Sequence, residues 1–287
     1  MNVPLNAAAA GQITLGGDLR VNRLGFGAMR ITGPGVWGDP PDASAAVGLL
    51  RRAVYLGVNF IDTADAYGPQ VSENLLFRAL YPYPPDLVIA TKGGLVRPAR
   101  EAWTRDGRPE HLRAACEGSL KRLRVDRIDV YQLHAPDPTV PIEESIGELV
   151  RLRAQGKIRH IGVSNVTVEQ LERCERLAPI VSVQNRYNFD DRQSEDVLEH
   201  CAAHGIAFLP WAPLASGRHA TRPEGRRALA SVAERRQVSV AQVALAWLLQ
   251  HAAVMLPIPG TASLTHLEEN IAAASLRLAG EDLSVLR

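Results

Sequence analysis

A parallel α/β fold, a (β/α)₈ TIM barrel preceded by a small β-hairpin, is predicted by three features of this 287-residue chain. Eight short apolar runs alternate with segments of helical spacing. No polar linker or shift in composition divides the chain, so one domain over residues 1–287 is expected. The length suits a single barrel, for which ~250 residues is usual.

The elements follow in order. Gln12–Leu15 and Leu19–Asn22 flank Gly16-Gly17, a pair able to supply the positive φ of a tight hairpin turn. The eight apolar runs are Leu24–Ala28, Val58–Ile61, Leu87–Ala90, Ile128–Leu133, His160–Val163, Val181–Val183, Ile206–Leu209 and Val254–Pro257. Between them helical spacing marks Ala43–Leu56, Ser72–Leu80, Pro109–Leu123, Ile142–Ala154, Thr167–Leu177 and Gln193–Ala203. Glu224–Gln237 and Val240–Gln250 precede the last run, and Ser263–Ala274 follows it. A doubly wound sheet is the alternative. It is disfavoured because Gly25 and Gly27 are followed by Met29-Arg30-Ile31-Thr32 rather than by the rest of a G-x-G-x-x-G turn.

Composition excludes several function classes. Lys and Arg total 32 against 31 Asp and Glu, a net charge of +1, which argues against a nucleic-acid surface but not against a local basic pocket. Cys116, Cys174 and Cys201 are far apart and form no C-x-x-C pair, so reduced structural thiols are expected rather than disulfides or a zinc site. The first basic residue is Arg20, Ala7–Ala10 is too short for a signal core, and Val243–Leu249 is far below membrane-spanning length. A cytoplasmic protein without membrane association is the expectation, as a monomer or weak oligomer. The eight His include no H-E-x-x-H spacing, and His200 and His204 sit on a helix without a carboxylate from a strand end, so no metal is expected.

In a barrel the chemistry sits where strands end and βα-loops begin. Asp62 ends the second strand, and Tyr67 lies on the loop that follows. Lys92 ends the third strand, His134 the fourth, Ser164-Asn165 the fifth, Gln184-Asn185 the sixth and Trp211 the seventh. Each alone admits an ordinary reading: Asp62 as a helix cap, Lys92 as a solvated end, His134 as a turn residue, Tyr67 as loop packing. Their coincidence on adjacent strands favours a site, in which Asp62 is the counter-charge that a buried Lys92 needs. A Lys ammonium beside Tyr67 is expected to lower the tyrosine pKa from about 10 and make it a better proton donor. With an imidazole beside the carbonyl oxygen, this polarises a carbonyl for hydride attack, and the hydride implies a nicotinamide.

At this point the sequence resembles the aldo-keto reductases over nearly its whole length. The resemblance is carried by Asp62-Thr63-Ala64-Asp65-Ala66-Tyr67-Gly68, Lys92, Leu133-His134, Gly162-Val163-Ser164-Asn165, Gln184, Ile258-Pro259-Gly260-Thr261 and Glu269-Asn270. It implies the barrel fold, reduction of a small-molecule aldehyde or ketone, and a catalytic tetrad of Asp62, Tyr67, Lys92 and His134. It also implies NADPH rather than NADH, with Ser164, Asn165 and Gln184 on the carboxamide and Trp211, where relatives have Tyr, stacked on the nicotinamide. Gly27, Met29, Asp62, Pro213, Leu214, Ser216 and Gly217 are expected along the cofactor, and Gly260, Thr261, His266, Glu269 and Asn270 at its adenosine end.

One departure concerns the 2′-phosphate. Where many members have Lys and Arg, this chain has Gly260 and His266, leaving Thr261 and the helix N-terminus near Ser263 to bind phosphate. The Gly33–Gly38 loop, Tyr81-Pro82-Tyr83 and the Ile-Pro-Gly-Thr ending resemble bacterial members similar to pyridoxal reductase, which implies pyridoxal as a substrate. Trp37 and Trp103, with Tyr67 and His134, are expected at the substrate pocket; Trp37 and Trp103 are otherwise rim residues. Arg97, Arg100, Arg105 and Arg108 populate the long loop after the third strand, as a solvated face or as an attraction for anions. The chain's end at Arg287 suggests a comparatively open site. Two other readings are weighed: a cofactor-sensing regulatory subunit of the same fold, and an unrelated barrel lyase using Lys92 as a Schiff base.

Overall fold

The computed structural model describes residues 5–219 and 222–286; Arg287, on which the expectation of an open site rests, lies outside them. The strands are β1 (Gln12–Leu15), β2 (Leu19–Asn22), β3 (Phe26–Gly27), β4 (Phe60–Asp62), β5 (Val88–Gly93), β6 (Leu95–Ala99), β7 (Ala102–Arg105), β8 (Ile128–Leu133), β9 (Ile158–Ser164), β10 (Ile180–Gln184) and β11 (Ala207–Phe208). The helices are α1 (Ala43–Tyr55), α2 (Val71–Leu80), α3 (Pro109–Leu123), α4 (Ile142–Ala154), α5 (Val168–Glu175), α6 (Glu195–His204), α7 (Pro223–Arg236), α8 (Val240–His251), α9 (Leu264–Ala272) and α10 (Gly280–Val285). Helix starts follow local chemistry. Asp42 accepts from Ala45 N–H ahead of α1, Thr167 and Ser239 form capping boxes with Gln170 and Gln242, and Pro109 and Pro223 open α3 and α7.

Seven strands pair in parallel in the order β11-β10-β9-β8-β5-β4-β3, with helices between them. The eighth expected strand, Val254–Pro257, is not a rung of this sheet and joins it through one bridge, Phe208 to Met255. Backbone bonds nonetheless run from this segment to both sheet edges. Phe208 N–H donates to Val254 O at 2.9 Å, Leu256 N–H to Phe208 O at 2.9 Å, and Gly25 N–H to Pro257 O at 2.9 Å.

The hairpin β1–β2 pairs antiparallel, with Leu15 opposite Leu19. Its Leu15, Leu19 and Val21 pack with Phe60, Val88, Ala90, Val130, Val181, Ala207, Leu209, Leu256 and Ile258, side chains that fill the interior of the curled sheet. Gly16 is required at the turn. Its φ is 60°, and a Cβ there would overlap the His160 imidazole, which pairs with Asp18 at 2.6 Å. One expectation is corrected here. The segment after the third parallel strand is not a loop but an antiparallel hairpin, β6–β7, carrying Trp103 on its second strand. Among the described residues no helix is long and apolar enough to cross a membrane.

Candidate active site

The parallel register decides which side chains meet. Residues paired across neighbouring strands point to the same face, and Lys92 of β5 is paired with Gln132 of β8. Asp62 closes β4, and the turn after it is pinned when Asp65 N–H donates to Lys92 O and Tyr67 N–H to Ala64 O. His134 follows β8 and is held by its own N–H, which donates to Gly93 O at 2.9 Å.

These elements bring Asp62, Tyr67, Lys92 and His134 together, all buried. Lys92 Nζ donates to Asp62 Oδ2 at 2.6 Å, to Thr63 O at 2.8 Å and to Tyr67 Oη at 3.3 Å. All three ammonium protons are thereby used. The other Asp62 oxygen, Oδ1, accepts from Gln132 Nε2 at 3.0 Å and Gln184 Nε2 at 2.8 Å, so both carboxylate oxygens are hydrogen-bonded. The Tyr67 oxygen accepts from Lys92 and keeps its own O–H to donate. The His134 ring stands edge-on to Tyr67, with centroids 5.7 Å apart. Its Nδ1 is buried without a hydrogen-bond partner among the described residues.

The electrostatics correct one expectation. Burial raises the Tyr67 pKa, and Lys92 pulls it down by less, so the net shift is upward rather than downward. The phenol is therefore protonated throughout the neutral range. Burial would lower Lys92, but the Asp62 carboxylate outweighs it and holds the ammonium charged. A neutral amine, which Schiff-base chemistry needs, is disfavoured at this position. Burial, reinforced by the Lys92 charge, keeps His134 far below the ordinary imidazole range and hence neutral. Behind the turn, burial and the nearby Glu73 push the Asp65 carboxyl up to about 8. Glu73 itself accepts from Thr91 Oγ1 and Arg122 Nε, each at 2.6 Å.

Asp62, Tyr67 and His134 line one part of a cavity of about 1060 Å³. Ser164, Asn165, Gln184 and Trp211 border it next to them, joined by hydrogen bonds. Ser164 Oγ donates to Gln184 O at 2.6 Å, Asn165 Nδ2 to His134 O at 3.0 Å, and Trp211 Nε1 to Asn165 Oδ1 at 2.9 Å. Gly27, Met29, Pro213, Leu214, Ser216, Gly217, Gly260, Thr261, His266, Glu269, Asn270 and Trp103 also line this cavity. Gly260 is needed where the first and last parallel segments meet, because a Cβ there would lie 2.4 Å from Gly27 O.

One expectation changes. Trp37 is not a wall of the cavity; it bridges to Gly68 and lies beside the Arg97 guanidinium. At the helix N-terminus near Ser263, Ser263 N–H donates to Thr261 Oγ1 and His266 N–H to Ser263 Oγ, while the Thr261 hydroxyl keeps its own proton to donate. The Arg30 guanidinium supplies a positive charge at that end, and the imidazoles of His219, which burial holds below its ordinary range, and of His266 add ring nitrogens. Sequence reasoning missed Arg30, His219 and Gln132. Gln132 was detectable, because it lies two residues before His134 and so shares its face of the strand.

The residues fit a nicotinamide dinucleotide on chemistry alone. Side-chain amides and a hydroxyl lie beside the tetrad, where a carboxamide needs them, and a hydroxyl with Arg30, His219 and His266 lies at the far end, where phosphate does.

Comparison with known proteins agrees. The aldo/keto reductase family model matches residues 23–287. An uncharacterized oxidoreductase of Schizosaccharomyces pombe is 49% identical over 277 residues, covering 96% of this chain and 89% of that protein. Pyridoxine 4-dehydrogenase of Escherichia coli is 42% identical over 277 residues, covering 94% and 95%. An aldo/keto reductase from Klebsiella pneumoniae, solved in complex with NADP and acetate, superposes with a TM-score of 0.81 at 29% identity, covering 96% and 93%.

Proposed function

Since this chain belongs to the aldo/keto reductase family and is an oxidoreductase of the carbonyl-reducing kind, we propose that it reduces an aldehyde or ketone with NADPH, Tyr67 acting as the general acid. The observation that carries this reading is the hydrogen-bonded Asp62–Lys92 pair, which leaves the buried Tyr67 O–H free for donation beside a neutral His134 at the cavity wall. The parallel sheet with its 254–257 segment is read as one closed (β/α)₈ barrel domain. Three buried free cysteines suit a reducing compartment such as the cytoplasm.

When bound, reduced nicotinamide supplies the hydride that reaches the carbonyl carbon. Tyr67 donates its proton to the carbonyl oxygen, and Lys92 stabilises the phenolate left behind. Asp62 keeps Lys92 charged and fixed, and Gln132 and Gln184 hold Asp62 in turn. Neutral His134 orients the carbonyl oxygen. Ser164, Asn165 and Gln184 would hold the carboxamide, and Trp211 would offer an indole for the nicotinamide to pack on. Gly27, Met29, Pro213, Leu214, Ser216 and Gly217 would hold the middle of the cofactor, and Gly260, Thr261, His266, Glu269 and Asn270 its adenosine end. Arg30 would supply the charge, and His219 and His266 ring nitrogens for hydrogen bonds, to the 2′-phosphate that favours NADPH over NADH. Pyridoxal is the substrate proposed, on the likeness to the Escherichia coli enzyme named for pyridoxine.

Consumption of NADPH and of NADH by the purified protein, with pyridoxal and with 4-nitrobenzaldehyde, tests this. Turnover with both aldehydes and NADPH is expected, with NADH at least about tenfold less efficient. Turnover on the nitrobenzaldehyde alone removes pyridoxal. No turnover with either, despite tight NADPH binding, overturns the enzymatic reading.

A further inference from the structure

Arg97, on β6, is a cation only 6% exposed that does not line the cavity. Its guanidinium is spent on backbone carbonyls of two separate segments. Nη1 donates to Val36 O at 2.7 Å, Nη2 to Gly35 O at 3.1 Å and to Arg100 O, and Nε to Ala102 O at 3.2 Å. The first two belong to the 33–38 loop and the last two to the turn and second strand of the β6–β7 hairpin. The same plane lies 3.8 Å from the Trp103 ring centroid and 5.4 Å from that of Trp37. The 33–38 loop is in turn joined to the tetrad turn. Gly68 N–H, adjacent to Tyr67, donates to Val36 O at 3.3 Å, and Gly38 N–H donates to Gly68 O at 2.7 Å.

Trp103 itself is 41% exposed and lines the cavity. Left to its own strand, it would be a mobile rim residue on a two-stranded hairpin, which is marginal in water. Four hydrogen bonds from one planar fork to carbonyls on both sides make a rigid bracket that a flexible ammonium does not reproduce. Stacking on Trp103 then fixes the indole plane, because a guanidinium gains from lying over an indole face.

We propose that Arg97 is the positioning residue that turns Trp103 into a fixed aromatic wall, so that the site selects flat aromatic aldehydes over small aliphatic ones. The inference rests on the carbonyl-reductase reading above. It assigns a role to the one arginine of the 95–108 stretch that is buried, and it leaves the proton-transfer machinery untouched. Selection acts through substrate binding, so it belongs in KM rather than in kcat.

The test compares Arg97→Met and Arg97→Lys with the unaltered protein, using 4-nitrobenzaldehyde and propanal with NADPH. Arg97→Met is expected to raise KM for the nitrobenzaldehyde about tenfold while kcat on both and KM for propanal change less than about twofold. Arg97→Lys keeps the charge but not the fork, and is expected to fall between, about threefold on the aromatic KM alone. An equal rise in KM for both aldehydes, or no rise for the aromatic one in either variant, overturns the proposal. If Arg97→Met does not fold, the Lys variant decides by the same criterion. Quenching of indole fluorescence by benzaldehyde, assigned with Trp103→Phe, gives a readout that needs no turnover. If the unaltered protein reduces neither aldehyde, the reductase reading fails. The Arg97 assignment is then judged by whether Arg97→Met weakens that quenching about tenfold, as expected, or leaves it unchanged, which overturns it.

Discussion

Replacing Tyr67 by Phe is expected to lower kcat/KM for aldehyde reduction by about 10²–10⁴-fold, the usual worth of a positioned general acid. The change is confined to chemistry by the structure around it. Phe keeps the ring that stands edge-on to His134, and Lys92 retains Asp62 and Thr63 as partners when the phenol oxygen is gone. NADPH affinity, followed by fluorescence, is therefore expected to change less than about threefold. A Tyr67→Phe protein still turning over within about tenfold of the original would show that the proton comes from elsewhere.

Replacing Lys92 by Met is expected to damage both chemistry and stability. Asp62 Oδ2 would be left buried without its cation, because the two glutamine amides serve only Oδ1. Removing one partner of a buried pair costs about 3–5 kcal/mol. For a chain of this size that is a fall in Tm of about 5–15 °C. A second variant separates the two losses. Changing Lys92 to Met and Asp62 to Asn together removes both charges while keeping an oxygen for the two glutamine amides, and is expected to recover most of the Tm while activity stays down by at least about 10²-fold. Thermal unfolding and initial rates on the same preparations check this. A single Lys92→Met variant with unchanged Tm would mean that the pair is better solvated than its burial indicates.

The tetrad is legible in the sequence because barrel geometry confines chemistry to strand ends, and Asp62, Lys92 and His134 each end or follow a strand with Tyr67 one turn on. What escapes the sequence depends on side-chain partners. The place of Gln132 on the face of His134 is legible, but its role is not, since only its bond to Asp62 shows that it holds the carboxylate. The β6–β7 hairpin is hidden because the Leu95–Arg105 stretch is short, Arg-rich and interrupted by Pro98, so it lacks clean period-two alternation. Trp37 follows the first strand, which points to the pocket, but the Gly33–Gly38 loop folds back onto Gly68 and carries the indole to Arg97. The direction of the Tyr67 shift is not legible because a sequence shows the nearby lysine but not the depth of burial, and here burial is the larger effect.

That last point supplies the most direct test of the account, the pH dependence of the reductive step in single turnover at saturating NADPH. A group whose pKa is raised keeps its proton to higher pH, so Tyr67 stays a donor up to and beyond its ordinary value of about 10. Neutral His134 contributes no change across the same interval, and the Asp65 carboxyl, which ionises at about 8, only raises the Tyr67 pKa further as it becomes charged. The rate is predicted to stay level from about pH 6 to about pH 9, with any descending limb centred above about pH 10. A descending limb centred between about pH 7 and 8 would contradict a buried, fully protonated Tyr67 and point to another donor.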